Sequence, residues 1–133
     1  MVQHAEAGTA LRLYVRKSTG MAKCLRADGH FLAFVEGPYP NDSIRDPLRR
    51  DCLLPIGNGI GITGLLPFAS NHRNAKLAWS IKESARCLIN DLKGALSCIA
   101  DKQVKIGTRL DINQLLEDEI KAVYLAAIDD SNH

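Results

Sequence analysis

The chain has 133 residues, 46% of them hydrophobic and 24% charged, which is the composition of a folded domain rather than of a disordered segment. Lys and Arg total 17 against 15 Asp and Glu, so the formal charge of +2 excludes strong electrostatic attraction to nucleic acid as the main activity. Aromatic residues make up 5%, which argues against a base-stacking platform for single strands.

The first forty residues predict strands with no helix between them. Residues 11–16 alternate apolar and polar side chains with the period of a half-buried strand, and residues 31–36 form an apolar run of strand length. Pro38 and Pro40 end the second strand, because proline has no N–H to donate to a ladder. We therefore expect this part to be the remnant of an antiparallel piece.

From residue 52 the predicted order is strand, helix, strand, helix, strand, helix. The strands cover residues 52–56, 76–81 and 103–106, and the helices cover 63–70, 84–100 and 111 to about 120. Asp111 with Gln114 three residues later is a capping-box pattern that opens the last helix. This alternation predicts an α/β fold with a parallel sheet covered by helices.

A glycine-rich loop lies between the first of these strands and its helix. Gly59, Gly61 and Gly64 fit the GxGxxG pattern in the strand-to-helix context that nucleotide binding requires. Glycine lets the backbone approach a pyrophosphate closely, and the helix N-terminus offers amides and the positive end of a dipole. The structural alternative is a tight turn with a packing glycine.

The end of the second strand of this series bears on the choice of nucleotide. No acidic residue stands at its tip, where a carboxylate would hold the ribose hydroxyls of NAD. Ser80, Lys82 and Arg86 stand there or just beyond, and a hydroxyl with two cations favours NADP(H) over NAD(H), although Glu83 argues the other way. The alternative is that Lys82 and Arg86 form a solvated face at the start of a helix.

Other chemistries lack the residues they need. The four cysteines show no CxxC spacing and the four histidines are scattered, so no metal site is predicted, and no residue is a convincing catalytic acid or base. The start of the chain does not resemble a secretory signal, and the most apolar stretch, residues 53–68, is too short for a membrane span. We expect a cytoplasmic chain with free thiols.

The chain contains the short segments EGPY at residues 36–39, GIGIT at 59–63, WSIK at 79–82 and IGTRLD at 106–111. The order and spacing of these four segments resemble those of the fungal ferric-chelate reductases. Over about residues 11–120 the chain resembles this family, which is related to the NADPH oxidases within the ferredoxin-reductase superfamily. The resemblance implies a flavin-binding barrel followed by an NADP-binding domain, on the cytosolic side of a haem-carrying membrane domain. In that family NADPH passes a hydride to FAD, and single electrons then cross the membrane to reduce ferric chelates.

The resemblance also implies domain limits and site residues. Residues 1–40 would be the end of the FAD-binding barrel, and residues 41–133 a truncated, Rossmann-like, three-layer domain with an incomplete parallel sheet. Pro38 and Tyr39 would line the nicotinamide cleft. The pyrophosphate and the nicotinamide side of NADPH would contact the glycine loop through Gly59, Ile60, Gly61, Ile62 and Thr63. The 2′-phosphate would contact the end of the second strand through Ser80 and Lys82.

Departures from the family leave two functions open. Residues 20–22 match the turn that contacts the flavin phosphates, with Ala22 where relatives have Thr or Ser, and Asn58 replaces a usual glycine. The flavin half of the barrel, the haem histidines and the Cys-Gly-Pro-type motif of the family are not found in this sequence. We expect either the NADPH-binding portion of a ferric-chelate reductase, with the flavin and haem membrane domain as its partner, or a truncated non-catalytic paralogue that at most binds a nucleotide or a protein.

Overall fold

The computed structural model describes residues 12–17, 19–26, 29–30, 32, 34–37, 39–40 and 45–131. Within these residues, short 3₁₀ turns cover Gly20–Cys24, Gly59–Gly61 and Glu83–Ala85. The helices and strands, in chain order, are α1 (Arg45–Leu48), β1 (Ile56–Asn58), α2 (Ile62–Asn71), β2 (Lys76–Ile81), α3 (Cys87–Asp91), α4 (Lys93–Ser97), β3 (Asp101–Ile106) and α5 (Ile112–Ser131).

The three strands form one parallel sheet in the order β1-β2-β3, which confirms the predicted α/β class and the parallel sheet. It is a small open sheet, compatible with part of a Rossmann-like fold. β1 begins at Ile56, four residues later than expected. Leu53 still makes an isolated bridge to Ala75, but Pro55 has no N–H to donate, so the ladder is interrupted between Leu53 and Ile56. The Pro55 carbonyl still accepts the Ala78 N–H at 2.9 Å.

The core lies between the sheet and one layer of helices. On β2, Leu77, Trp79 and Ile81 point to one face and join a buried cluster with residues of α2, α3 and α4. Lys76, by strand alternation, points to the other face, where its Nζ forms an ion pair of 2.9 Å with Glu119 of α5. This ion pair places Glu119 of α5 beside the second face of the sheet.

Two helices differ from the sequence-based expectation. The predicted helix over 84–100 is divided into a 3₁₀ turn, α3 and α4, with a break at Leu92, where φ is −95° and ψ is 5°. Gly94, which has low helix propensity, lies two residues after the break. Leu88, Leu92 and Leu96 are all buried despite the break. The last helix continues to Ser131 instead of ending near Ile120.

The antiparallel remnant is not supported. The described residues of the two predicted strands, 12–16 and then 32 and 34–36, are in no strand. Leu13, Val15 and Phe34 are exposed, so these apolar side chains are not buried against a sheet. In the part of the chain that the structure describes, no helix has the length and apolarity needed to cross a membrane.

Candidate functional site

The glycine loop leads directly from β1 into α2. Gly59 has φ of +57°, in the left-handed region that favours glycine, and Gly59–Gly61 forms a 3₁₀ turn. Ile62, the first residue of α2, is fully buried and anchors the helix start in the core. Because the first amides of a helix have no intrahelical acceptor, the loop presents N–H donors at this end.

Two side chains hold this loop in place. The indole Nε1 of Trp79 donates a hydrogen bond of 2.9 Å to the Gly59 carbonyl, which also accepts the Ile62 N–H. The Thr63 hydroxyl donates to the Ile60 carbonyl at 3.0 Å, so its proton is used within the loop. The loop is thus tied to β2 on one side and to α2 on the other.

The glycine that allows close packing of helix and strand is Gly57, not Gly64. A Cβ atom on Gly57 would lie 2.5 Å from Cδ1 of Leu65, whereas one on Gly64 would meet no atom within 4 Å. In the GxGxxG pattern the third glycine allows the close packing of helix and strand, so the pattern predicts Gly64 for this role and not Gly57. Gly61 also has open space around its missing Cβ, which leaves its backbone accessible.

A cleft of about 700 Å³ opens at the carboxyl ends of β1 and β2. Three of the predicted site residues line it: Gly59, Ile60 and Lys82. The opposite wall is the N-terminal segment 14–17, which contributes Arg16 and Lys17. In open α/β sheets, ligands bind outside the carboxyl ends of the strands, and this cleft has that position.

The charges around the cleft are mainly positive. Arg16, Lys17 and Lys82 line it together with one carboxylate, Asp91. A side-chain hydrogen bond with Tyr14 raises the pKa of Arg12, and the nearby Asp91 carboxylate also raises it. Three cations against one carboxylate leave the lining of the cleft with a net positive charge, which favours an anion.

Arg86, which was predicted to bind the 2′-phosphate together with Lys82, is instead paired with Glu83. Its Nη2 lies 2.7 Å from Oε1 of Glu83 in an exposed ion pair. The Glu83 carboxylate, which counted against a phosphate site, is thereby partly neutralised by Arg86. Lys82 is exposed and makes no ion pair among the described residues.

The remaining predicted site residues lie elsewhere. Ser80 is 6% exposed and does not line the cleft. Tyr39 is 70% exposed and also lies outside the cleft lining, and its hydrogen bond with Glu36 raises the pKa of the phenol. Pro38 is outside the described residues. Gly61, Ile62 and Thr63 form the helix start beside the cleft, where the Ile62 side chain is buried and its N–H is bonded within the loop.

Arg16 and Lys17 are the site residues that sequence reasoning missed. They belong to a segment predicted as a barrel strand, and no spacing pattern connects them to the glycine loop more than forty residues later. Tyr14 packs against the core cluster and holds this segment at the cleft. Among the residues that the structure describes, no group of three His, Cys, Asp or Glu side chains could hold a metal ion.

No family model, curated protein or solved structure matches this chain.

Proposed function

We propose that the cleft binds NADPH and that the chain is the NADPH-binding portion of a flavin-dependent ferric-chelate reductase. One observation carries the proposal: the glycine loop and three cations, Arg16, Lys17 and Lys82, meet in one cleft at the carboxyl ends of parallel strands. The likeness of the four sequence segments to the ferric-chelate reductases supports the choice of reaction.

The loop geometry suits a pyrophosphate. Gly59 already has the left-handed conformation, and no atom lies within 4 Å of the Cβ position of Gly59 or Gly61. A phosphate can therefore approach the backbone without meeting a side chain at either position. The N-terminal end of α2 would contribute its amides and the positive end of the helix dipole.

The cations suit an additional phosphate. Lys82 follows β2 directly, at the place where an acidic residue would select NAD through the ribose hydroxyls. Arg16 and Lys17 on the facing segment add two positive charges. In place of the pair Ser80 and Lys82, we propose Lys82 with Arg16 and Lys17 as the ligands of the 2′-phosphate.

The role of the protein in the reaction is positional. In this class of enzyme the hydride passes from NADPH to FAD, and the protein mainly holds the two cofactors in register. The turn Gly20–Cys24, which resembles the flavin-phosphate turn, is exposed and lies outside the cleft. We therefore propose that FAD is held by the flavin and haem domain of the parent reductase, on the cytoplasmic side of a membrane.

A second candidate is a non-catalytic nucleotide-binding protein. It is favoured by the position of Tyr39, which is expected beside the nicotinamide but is exposed outside the cleft. The cleft described here is then sufficient for the adenosine and phosphate half of the nucleotide alone. Adenosine 2′,5′-bisphosphate would bind such a site about as well as NADPH does.

The experiment is a titration of the full chain with NADPH, NADH and adenosine 2′,5′-bisphosphate, followed by thermal unfolding and by the fluorescence of Trp79. We expect NADPH to raise Tm and NADH to do so much less. Lys82→Ala and Arg16→Ala should each weaken NADPH binding about tenfold, as expected for loss of a charge-assisted contact.

Lys121→Ala is the matched control, since Lys121 is exposed on α5 and does not line the cleft. It should leave the affinity for NADPH unchanged. A chain that unfolds cooperatively but responds to none of the three ligands would overturn the proposal. Equal binding of NADPH and the bisphosphate would favour the non-catalytic candidate.

A further inference from the structure

The C-terminal half of α5 is apolar on all sides and exposed. We call residues 120–128 the distal segment; its sequence is IKAVYLAAI, with Lys121 as the single charged residue. All nine residues are exposed, and its large apolar side chains are between 38% and 68% accessible. A helix that is hydrophobic all round is normally buried against other protein, so this segment needs a partner surface.

Acidic residues stand at both ends of the distal segment. Glu117 and Asp118 precede it, and Asp129 and Asp130 follow it. Two copies of α5 packed antiparallel about the distal segment would therefore bring acidic ends together, which is unfavourable. The charges favour an apolar partner surface with a basic rim.

Such a surface exists on this molecule beside β3. A groove of about 380 Å³ is formed by Ile89, Leu96, Val104 and Ile106, and its rim carries Lys93 and Lys102. Lys93 is exposed and makes no ion pair among the described residues. The groove is thus apolar with a basic rim, and the distal segment is apolar with acidic residues at both ends, so the two surfaces are complementary.

The groove and the distal segment lie on opposite faces of the sheet. Val104 pairs with Trp79 and Ile106 with Ile81, so they point to the face covered by α3 and α4. The pair of Lys76 with Glu119, immediately before the distal segment, holds α5 against the other face. The chain therefore cannot place its own distal segment in its own groove.

We propose that the distal segment of one copy binds in the groove of a second copy, with Asp129 and Asp130 near Lys93 and Lys102. Each copy carries both contact surfaces, so two copies can make the contact twice as a reciprocal pair, or successive copies can make it once each. Apolar burial would supply most of the stability, and the charges would select this partner surface over another α5 helix. The proposal is independent of nucleotide binding.

The test is sedimentation equilibrium of the full chain at low and high salt, with charge-reversal variants. Lys93→Glu on the groove, and the double variant Asp129→Lys with Asp130→Lys on the helix, should each weaken self-association about tenfold. The first cancels the remaining charge of Lys102 on the rim, and the second turns attraction into repulsion. An equimolar mixture of the two variants should associate again, since the unchanged acidic helix of the Lys93→Glu copy meets the unchanged basic groove of the other copy. Lys105→Glu is the matched control, because Lys105 lies on β3 and, by strand alternation, points to the face of the sheet opposite the groove.

Far-UV circular dichroism of each variant verifies that the fold is kept. A chain that remains monomeric at about 100 µM would overturn the proposal. Association that Lys93→Glu leaves unchanged but Ile128→Ser abolishes would also overturn it, by showing that the distal segment binds another surface. Restoration in the mixture, together with undiminished self-association of Lys105→Glu alone, would establish the pairing of groove and helix.

Discussion

The indole of Trp79 and the carbonyl of Gly59 are joined by a hydrogen bond of 2.9 Å between Nε1 and the oxygen. Trp79 is fully buried at the centre of the sheet, and Gly59 is the first residue of the glycine loop. The bond therefore ties the loop to β2 before any ligand is present. A loop held in one conformation loses less entropy when it binds, so this contact favours binding.

Trp79→Phe should lower both stability and nucleotide affinity. The substitution removes the donor to Gly59 and leaves a cavity where the larger ring was, so the free energy of unfolding should fall by about 1–3 kcal/mol. The Gly59 carbonyl keeps its bond from the Ile62 N–H, which limits the loss. Urea unfolding followed by circular dichroism measures the effect, because Trp79 is the only tryptophan. Unchanged stability and NADPH affinity would show that the bond does not hold the loop.

Gly57→Ala should destabilise the protein through a collision with one side chain. The new Cβ would lie 2.5 Å from Cδ1 of Leu65, so Leu65 must move from its packed position, at a cost of about 1–2 kcal/mol. In the background of Leu65→Ala the same substitution should cost much less. A double-mutant cycle by urea unfolding measures this coupling, and additive effects would contradict the proposed collision.

Gly64→Ala should have the opposite sign. Gly64 lies inside α2, and a Cβ there would meet no atom within 4 Å. Alanine has the higher helix propensity, so the free energy of unfolding should rise by about 0.5–1 kcal/mol. Thermal unfolding with and without NADPH measures both stability and binding. Destabilisation would mean that Gly64 is, after all, the packing glycine of the pattern.

The sequence predicted the part of the fold that depends on local patterns. The strand over 76–81 was placed at its observed limits, because its apolar run is bounded by turns and buried on both faces. The parallel order followed from the alternation of strands and helices. The break at Leu92 was missed, because residues 84–100 keep a helical spacing of apolar side chains across it.

The site was predictable only where the chain folds locally. Gly59, Ile60 and Lys82 follow successive strands, so a sequence pattern can place them at one sheet edge, and the cleft contains all three. Arg16 and Lys17 reach it through the packing of Tyr14 against the core, a tertiary contact that no local spacing encodes. Ser80 was assigned to the 2′-phosphate site by its place at the end of the second strand and by resemblance, whereas its side chain is buried within β2.

The N-cap of α5 is a prediction from sequence that the structure supports in part. The Gln114 N–H donates to Oδ1 of Asp111 at 3.0 Å, as in a capping box, but the Gln114 side chain bonds to Asp118 instead of returning to the cap. Asp111→Ala should therefore lower the free energy of unfolding by about 1 kcal/mol, and Asp111→Asn should lower it much less. Gln114→Ala should have only a small effect. Equal losses for Ala and Asn at position 111 would show that the cap is not what stabilises α5.

The ion pair between Lys76 and Glu119 should make stability depend on pH in the alkaline range. The hydrogen bond that Lys76 donates to the Glu119 carboxylate raises the pKa of Lys76 above its ordinary value, although partial burial opposes this. The folded state therefore holds this proton more tightly than the unfolded state. The contribution of the ion pair to stability is complete below the unfolded pKa of about 10.4 and disappears as pH rises through the higher folded pKa.

Lys76→Met should lower the free energy of unfolding by about 0.5–1 kcal/mol at pH 7, and this loss should shrink above about pH 10. Urea unfolding at pH 7, 9 and 11 measures this, with Lys105→Met as the control that lacks an ion-pair partner among the described residues. A difference that stays constant over that range would show that the apolar stem of Lys76, and not its charge, stabilises the contact with α5.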